Sequence, residues 1–177
     1  MSSLKIYCLS LDPKHLGIIK KINYIPVGLG EENFTNEWLS DRTENHISLK
    51  NKFYGEYTFH YWIWKNYLDK IGDDWVGFCQ YRKFWSLKKS GIQNVSFEYF
   101  NEYILKEIPK EFLKYETILG EPLFINQFRF SKFIKNNLKT MINEPSLFLN
   151  KKKRTIKFHF DMMHGSGNLD KAIELLE

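Results

Sequence analysis

Apolar positions between Asn51 and Ile71 recur at Phe53, Tyr57, Tyr61, Trp64, Leu68 and Ile71, in steps of 4, 4, 3, 4 and 3. That spacing predicts one long helix with these side chains on its inner face. Tyr54, Thr58 and Trp62 form a second row that widens the stripe, so the helix is expected to be mostly buried. Ser48 is the expected N-cap, with Lys50 and Asn51 in the first turn, and Gly72-Asp73-Asp74 is the stop. Trp75–Cys79 then reads as a short interior strand that ends in Gln80-Tyr81-Arg82-Lys83. In an α/β protein, ligands bind outside the carboxyl ends of the strands, which makes this tail the first place to look for chemistry.

Leu4 to Leu11 is a continuous apolar run and suits a central parallel strand. Asp12-Pro13 ends it, and His15–Lys21 is a connector or a helical turn. Tyr24 to Gly30 is a second short strand closed by glycines. A strand, a crossover and a second strand ending in glycine is how a nucleotide-binding half begins, although no G-x-G-x-x-G is present. Gly28 is therefore a candidate for close approach to a nucleotide, or a turn residue. Residues 31–45 are polar and irregular, with Trp38 as their large anchor. Beyond Trp85 the pattern predicts a loop, then an amphipathic helix over 97–105 that extends towards 112. A short strand is expected over 114–120 and an extended segment over 121–125, followed by a basic helix over 128–141. Asn168 or Ser166 would cap a final helix over 169–177, and the Gly165-Ser166-Gly167 turn is a possible phosphate cradle.

Composition adds limits. The 177 residues are expected to form a single domain with a full core. Net charge is +5, compatible with an anionic ligand. Rings interleaved with Lys and Arg over 128–141 raise nucleic-acid binding, but no RNA or DNA motif accompanies them, so no nucleic-acid partner is expected. Lys151-Lys152-Lys153-Arg154 is a solvated loop or a contact with an anionic membrane surface. Cys8 and Cys79 lie in apolar runs and read as buried free thiols. With no leader-like start and no run of about 18 apolar residues, a cytoplasmic protein is expected, with peripheral recruitment to the inner membrane face open. His159, Asp161 and His164 are metal ligands by type, but their spacing matches no established site.

Two polar residues stand out within the helical pattern. Glu56 and His60 are four apart where little surface is expected, so Glu56 must be paired, hydrogen-bonded or functional. The surrounding blocks carry a resemblance. Asp41-Arg42-Thr43, Ile47-Ser48-Leu49-Lys50-Asn51, Glu56, Tyr61-Trp62-Ile63-Trp64-Lys65-Asn66 and Gly77-Phe78-Cys79-Gln80-Tyr81-Arg82-Lys83-Phe84 resemble a bacterial family catalogued as a domain of unknown function. Its members sit in capsular and exopolysaccharide biosynthesis clusters and are regarded as glycosyltransferase-like. The match is dense over residues 41–85. It departs at Glu44, Asn45 and His46, where Gly, Asp and Asn are usual, at Gln80 in place of a His, and at Lys83 in place of an Arg. In the family the chain continues beyond the Phe158–Gly165 segment, so the C-terminal part is expected to be short or truncated.

The resemblance implies a glycosyltransferase A-like, Rossmann-like fold: a mixed sheet flanked by helices. It implies a nucleotide-sugar donor and a glycan or lipid-linked glycan acceptor in capsule, exopolysaccharide or lipopolysaccharide synthesis. Residues 31–45 would then cover the donor, with Asp41 and Thr43 touching it. Gly28, Ser48, Lys50, Asn51, Gln80, Tyr81 and Lys83 complete the expected nucleotide-sugar set. Enzymes of this fold place an Asp-x-Asp after a central strand to hold a metal, whereas Asp73-Asp74 precedes the strand here. The expectation is a site that needs no metal, with Mn²⁺ or Mg²⁺ as the alternative. Arg82, helped by Lys50 or Lys83, would offset the charge of the leaving diphosphate, unless an ion pair with Glu56 or Asp41 occupies it. Glu56 would serve as general base or bind a sugar hydroxyl. The alternative is a non-catalytic relative that binds a sugar or a partner enzyme.

Overall fold

Strand β1 (Leu4–Ser10) is buried on both faces, which is why it reads as an unbroken apolar run. Successive side chains point to opposite faces of a strand. Ile6 and Cys8 therefore enter one core, with Ile19, Ile22, Tyr24, Trp38 and Cys79, while Tyr7 and Leu9 enter a second, with Val27, Phe59, Trp62 and Ile63. The computed structural model describes residues 3–72, 74–87, 101–121, 142, 145–150, 152, 155–164 and 167–175.

The chain divides into two compact units, residues 1–118 and 119–177. In the first, helix α1 (Leu16–Lys21) leads to β2 (Ile25–Gly28), and β3 (Leu39–Ser40) follows. Helices α2 (Asn51–Tyr54), α3 (Tyr57–Asn66) and α4 (Leu68–Ile71) precede β4 (Trp75–Gln80). The sheet order is β3-β2-β1-β4. Each described strand pair is parallel, with Cys8 opposite Cys79 and Ser10 opposite Gly28. The sheet expected to be mixed thus has its antiparallel contacts confined to the isolated bridges Gln80–Lys83 and Ser86–Ile104. This is an α/β fold with helices on both faces of the sheet. Cys8 and Cys79 are buried and free, and their mutual hydrogen bond, together with burial, pushes the Cys79 thiol up.

The long helix expected over 51–71 is three short ones. Gly55 has φ +54 and ψ −131, outside helical space, and breaks the first from the second. The Asn51 side-chain amide closes the break by donating to the Gly55 carbonyl at 2.8 Å and to the Thr58 hydroxyl at 3.1 Å. Ser48 does not cap: it opens a 3-10 turn, Ser48–Lys50, and its hydroxyl bonds to His46 Nδ1 at 2.8 Å. Of the stripe expected to be buried, the second row at Thr58 and Trp62 and the last position, Ile71, are buried, but most of the first row is exposed. Phe53 is 76% exposed, Tyr57 65% and Trp64 58%, whereas Thr58, Phe59, Trp62 and Ile63 are buried. Phe59 is the anchor, its ring 5.4 Å from Tyr7 and 6.2 Å from Phe78.

Residues 114–120, expected to form a strand, are exposed apart from a half-buried Ile118 and lie outside the sheet. Of the helix expected over 97–105, residues 101–103 are helical and Ile104 already pairs with Ser86. The segments 122–141 and most of 151–154, with the expected basic helix and basic run, lie outside the described residues. In the second unit, α5 (Ser146–Leu149), α6 (Ile156–His164) and α7 (Asn168–Glu174) follow one another. Residues 158–164 are therefore helical, and Gly167, at φ +78, occupies the cap position of α7 without a side-chain bond. Lys157 Nζ joins α6 to α7 through both oxygens of Asp170 at 2.6 Å. Among the described residues no helix is long and apolar enough to cross a membrane.

Candidate functional site

The strand order reverses beside β1. β2 and β3 are laid down on one side, and the chain returns to place β4 on the other. At such a switch point the connections leave in opposite directions and open a crevice at the carboxyl ends of the strands. A cavity of about 580 Å³ lies there. Leu9, Ser10 and Leu11, at the end of β1, form its floor. Gln80, Tyr81 and Arg82, at the end of β4, form one side, and residues 51–57 form the other.

Gln80 Nε2 donates to Glu56 Oε2 at 2.6 Å, across the crevice from β4 to the break before α3. Glu56 thus finds a partner without His60. His60 instead packs edge-on against Phe78 at 4.4 Å and leaves its buried Nε2 without a partner. Burial lowers the His60 pKa, and the Glu56 charge opposes that shift. Tyr81 stacks on His15, with centroids 3.7 Å apart and planes 11° from parallel. His15 Nδ1 lies 2.7 Å from Ser10 Oγ, so the floor and the β4 side share one polar cluster. Arg82 is exposed, with its guanidinium 5.6 Å from the Tyr81 ring centre. It makes no ion pair among the described residues, neither with Glu56 nor with Asp41. The opposite side presents exposed Phe53, Tyr54 and Tyr57.

The crevice brings together Asn51, Glu56, Gln80, Tyr81 and Arg82 of the expected set. Ser48 lines a neighbouring cavity of about 640 Å³, which shares Asn51 and Lys52 with the crevice. Lys50 and Lys83 line neither. Gly28, expected near a nucleotide or in a turn, ends β2 and packs under an aromatic ring: a Cβ there would lie 2.6 Å from Phe34 Cδ2. Thr43 lines neither cavity, and its carbonyl accepts the Trp62 indole N–H at 2.9 Å. Asn66 Nδ2 adds a bond to the Asn45 carbonyl at 2.9 Å. The Tyr61–Asn66 block therefore clasps the 43–45 loop. Asp41 follows β3 and is 1% exposed, with neither carboxylate oxygen in a hydrogen bond. Burial raises its pKa; the nearby Thr58 hydroxyl, already donated to the Gly55 carbonyl, opposes this, as do Arg42 and His46.

The sequence pattern did not single out Ser10, His15, Lys52 or Tyr57. Ser10 was visible only as the end of a strand, and His15 needed the turn after Asp12 to bring it back onto Tyr81. Among the described residues no group of three His, Cys, Asp or Glu is placed to hold a metal ion. The side chains of Asp161 and His164 lie outside the described residues.

These features define a parallel α/β protein with a crevice at the switch point of its sheet, ringed by aromatic and a few polar side chains. The chain belongs to the family described as Domain of unknown function (DUF4422), whose model matches residues 5–177. No curated protein and no solved structure matches it.

Proposed function

We propose that the protein is a glycosyltransferase A-like enzyme of polysaccharide synthesis that binds a nucleotide sugar in the switch-point crevice. The observation that carries this reading is Arg82, an exposed guanidinium with no ion pair among the described residues, lining a crevice sized for one such ligand. A planar guanidinium matches two phosphate oxygens at once. In the transfer, the bond from the anomeric carbon to the diphosphate oxygen breaks and its electron pair leaves on the diphosphate. Arg82 offsets that charge. The acceptor oxygen bonds to the anomeric carbon and its proton passes to the Glu56 carboxylate. The donor is a nucleotide sugar and the acceptor a growing or lipid-linked glycan, assembled in the cytoplasm at the inner membrane face. Divalent metal is an addition to be tested, not a requirement of this site.

A thermal-shift screen with UDP, GDP, CMP and dTDP and their sugars, with and without Mn²⁺, tests the reading. One nucleotide should stabilise the wild type, and Arg82→Ala should weaken its binding about tenfold or more, the usual worth of a charge-assisted contact. An unchanged affinity in Arg82→Ala removes the reading.

The Gln80–Glu56 hydrogen bond favours a second reading, a relative that binds the donor without transferring it. A carboxamide takes up no proton, and here it occupies one oxygen of the carboxylate. Gln80→His should raise sugar release from the bound nucleotide if the imidazole is what chemistry lacks. Equal turnover in both forms discards this alternative.

A further inference from the structure

The neighbouring cavity of about 640 Å³ has no role in donor binding as described above. Its wall carries two cations, Arg42 and Lys52, with the His46 imidazole beside them. Arg42 and His46 come from the loop after β3 and Lys52 from α2, against one carboxylate, Glu31. Arg42, His46 and Lys52 are all exposed, and none makes an ion pair among the described residues. Lys52 lies over the Phe53 ring at 4.8 Å, on the shared wall between the two cavities. The His46 imidazole is held by the Ser48 hydroxyl at 2.8 Å.

A transferase must hold two substrates with their reacting groups in contact. The crevice holds about one small-molecule ligand, and the second cavity adjoins it through Asn51 and Lys52. We propose that this second cavity is the acceptor subsite and that it selects a sugar bearing a phosphate or carboxylate. The proposal rests on the transferase reading of the crevice for the word acceptor; selection of an acidic sugar stands on the cavity itself. Arg42 and Lys52, exposed and with no ion pair among the described residues, raise the local concentration of anions and give a bound one charge-assisted hydrogen bonds.

Calorimetric titration of the whole chain at low salt separates the two sites. The probes are UDP for the crevice, and glucose 6-phosphate, glucuronate, glucose and inorganic phosphate for the second cavity. The wild type should bind glucose 6-phosphate or glucuronate at least about tenfold more tightly than glucose. Arg42→Ala should erase that preference and leave UDP binding unchanged, while Arg82→Ala should do the reverse. Both arginines are exposed and make no ion pair among the described residues, so both variants should stay folded, checked by a cooperative melt before titration. Equal binding of glucose and the acidic sugars overturns the proposal. So does inorganic phosphate binding as tightly as glucose 6-phosphate, because selection of a sugar is then lost. If Arg42→Ala weakens UDP as much as Arg82→Ala does, both cavities belong to one donor and the acceptor subsite is overturned. If UDP fails to bind while glucose 6-phosphate binds through Arg42, the donor reading falls and the acidic-sugar site stands.

Discussion

At the amino end of the parallel sheet, Lys5 Nζ meets Asp74 Oδ2 at 2.9 Å, and the Ser3 backbone N–H donates to Asp74 Oδ1 at 2.9 Å. That end closes its own charges. At the carboxyl end, among the described residues, Arg82 and Arg42 make no ion pair, the buried Asp41 carboxylate has no hydrogen bond, and Glu56 reaches across a crevice to Gln80. Buried polar groups are normally paired, and Asp41 departs from that rule at the carboxyl end. The strands, the cores and the chain are the same at both ends. What differs is that a parallel sheet with a switch point separates its connections at the carboxyl end alone.

The comparison breaks most readily at Gly28. It lies at the carboxyl end of β2, but the space it leaves is filled by Phe34. Gly28→Ala should destabilise the protein by about 1–3 kcal/mol, the usual cost of overpacking, read as a lowered urea midpoint. Pairing it with Phe34→Leu should recover part of that loss. A neutral Gly28→Ala would mean that the glycine is kept for ligand approach and not for packing.

Asp41 sharpens the comparison. Its pKa in the fold is raised above the ordinary carboxylate value by burial. The stability it contributes is therefore fully present below about pH 4 and is lost as pH rises through the raised value. Asp41→Asn should be more stable than the wild type at pH 7, with the gap narrowing towards pH 4, as followed by urea melts at the two pH values. Loss of stability at pH 7 would show that the carboxylate is held by a partner.

Asp74 should give the smallest effect and the opposite sign. The Lys5 ammonium and the Ser3 amide hold its pKa at about 2, below the ordinary value. Its contribution is present above about pH 4 and is lost as pH falls towards 2. Asp74→Asn should lower the melting temperature slightly at pH 7, and the difference should vanish near pH 2. High salt should shrink it, because the pair is partly exposed. A salt-independent loss would place this pair among the buried ones and remove the contrast between the two ends.

Much of the sheet was legible in the chain. The apolar run from Leu4 marks a strand buried on both faces, and its place inside the sheet follows from that burial. The β4 tail was legible for the same reason, and with it Gln80, Tyr81 and Arg82 in the crevice. Glu56 was flagged because a carboxylate in an apolar helical pattern needs a partner, although that partner is Gln80 and not His60 or Arg82. The metal-ligand types at His159, Asp161 and His164 lie on a helix, α6, where the sequence reading assigned no element.

The helical stretch shows where legibility ends. The stripe expected in Asn51–Ile71 held two rows, Phe53-Tyr57-Tyr61-Trp64-Leu68 and Tyr54-Thr58-Trp62, and periodicity alone placed both inside. Gly55 at φ +54 breaks the axis, and the surface offered by Tyr7, Leu9, Val27 and Phe78 takes Phe59 and Trp62. The other row stays outside, where Phe53 and Tyr57 become the wall of the crevice. By itself the sequence determined that β1 is central, that a polar and cationic tail follows β4, and that Glu56 needs a partner, because burial and desolvation act on residue types wherever they sit. Only the tertiary structure decided which helix face is buried and which cations share a wall, because those depend on the shape of the surface a side chain meets.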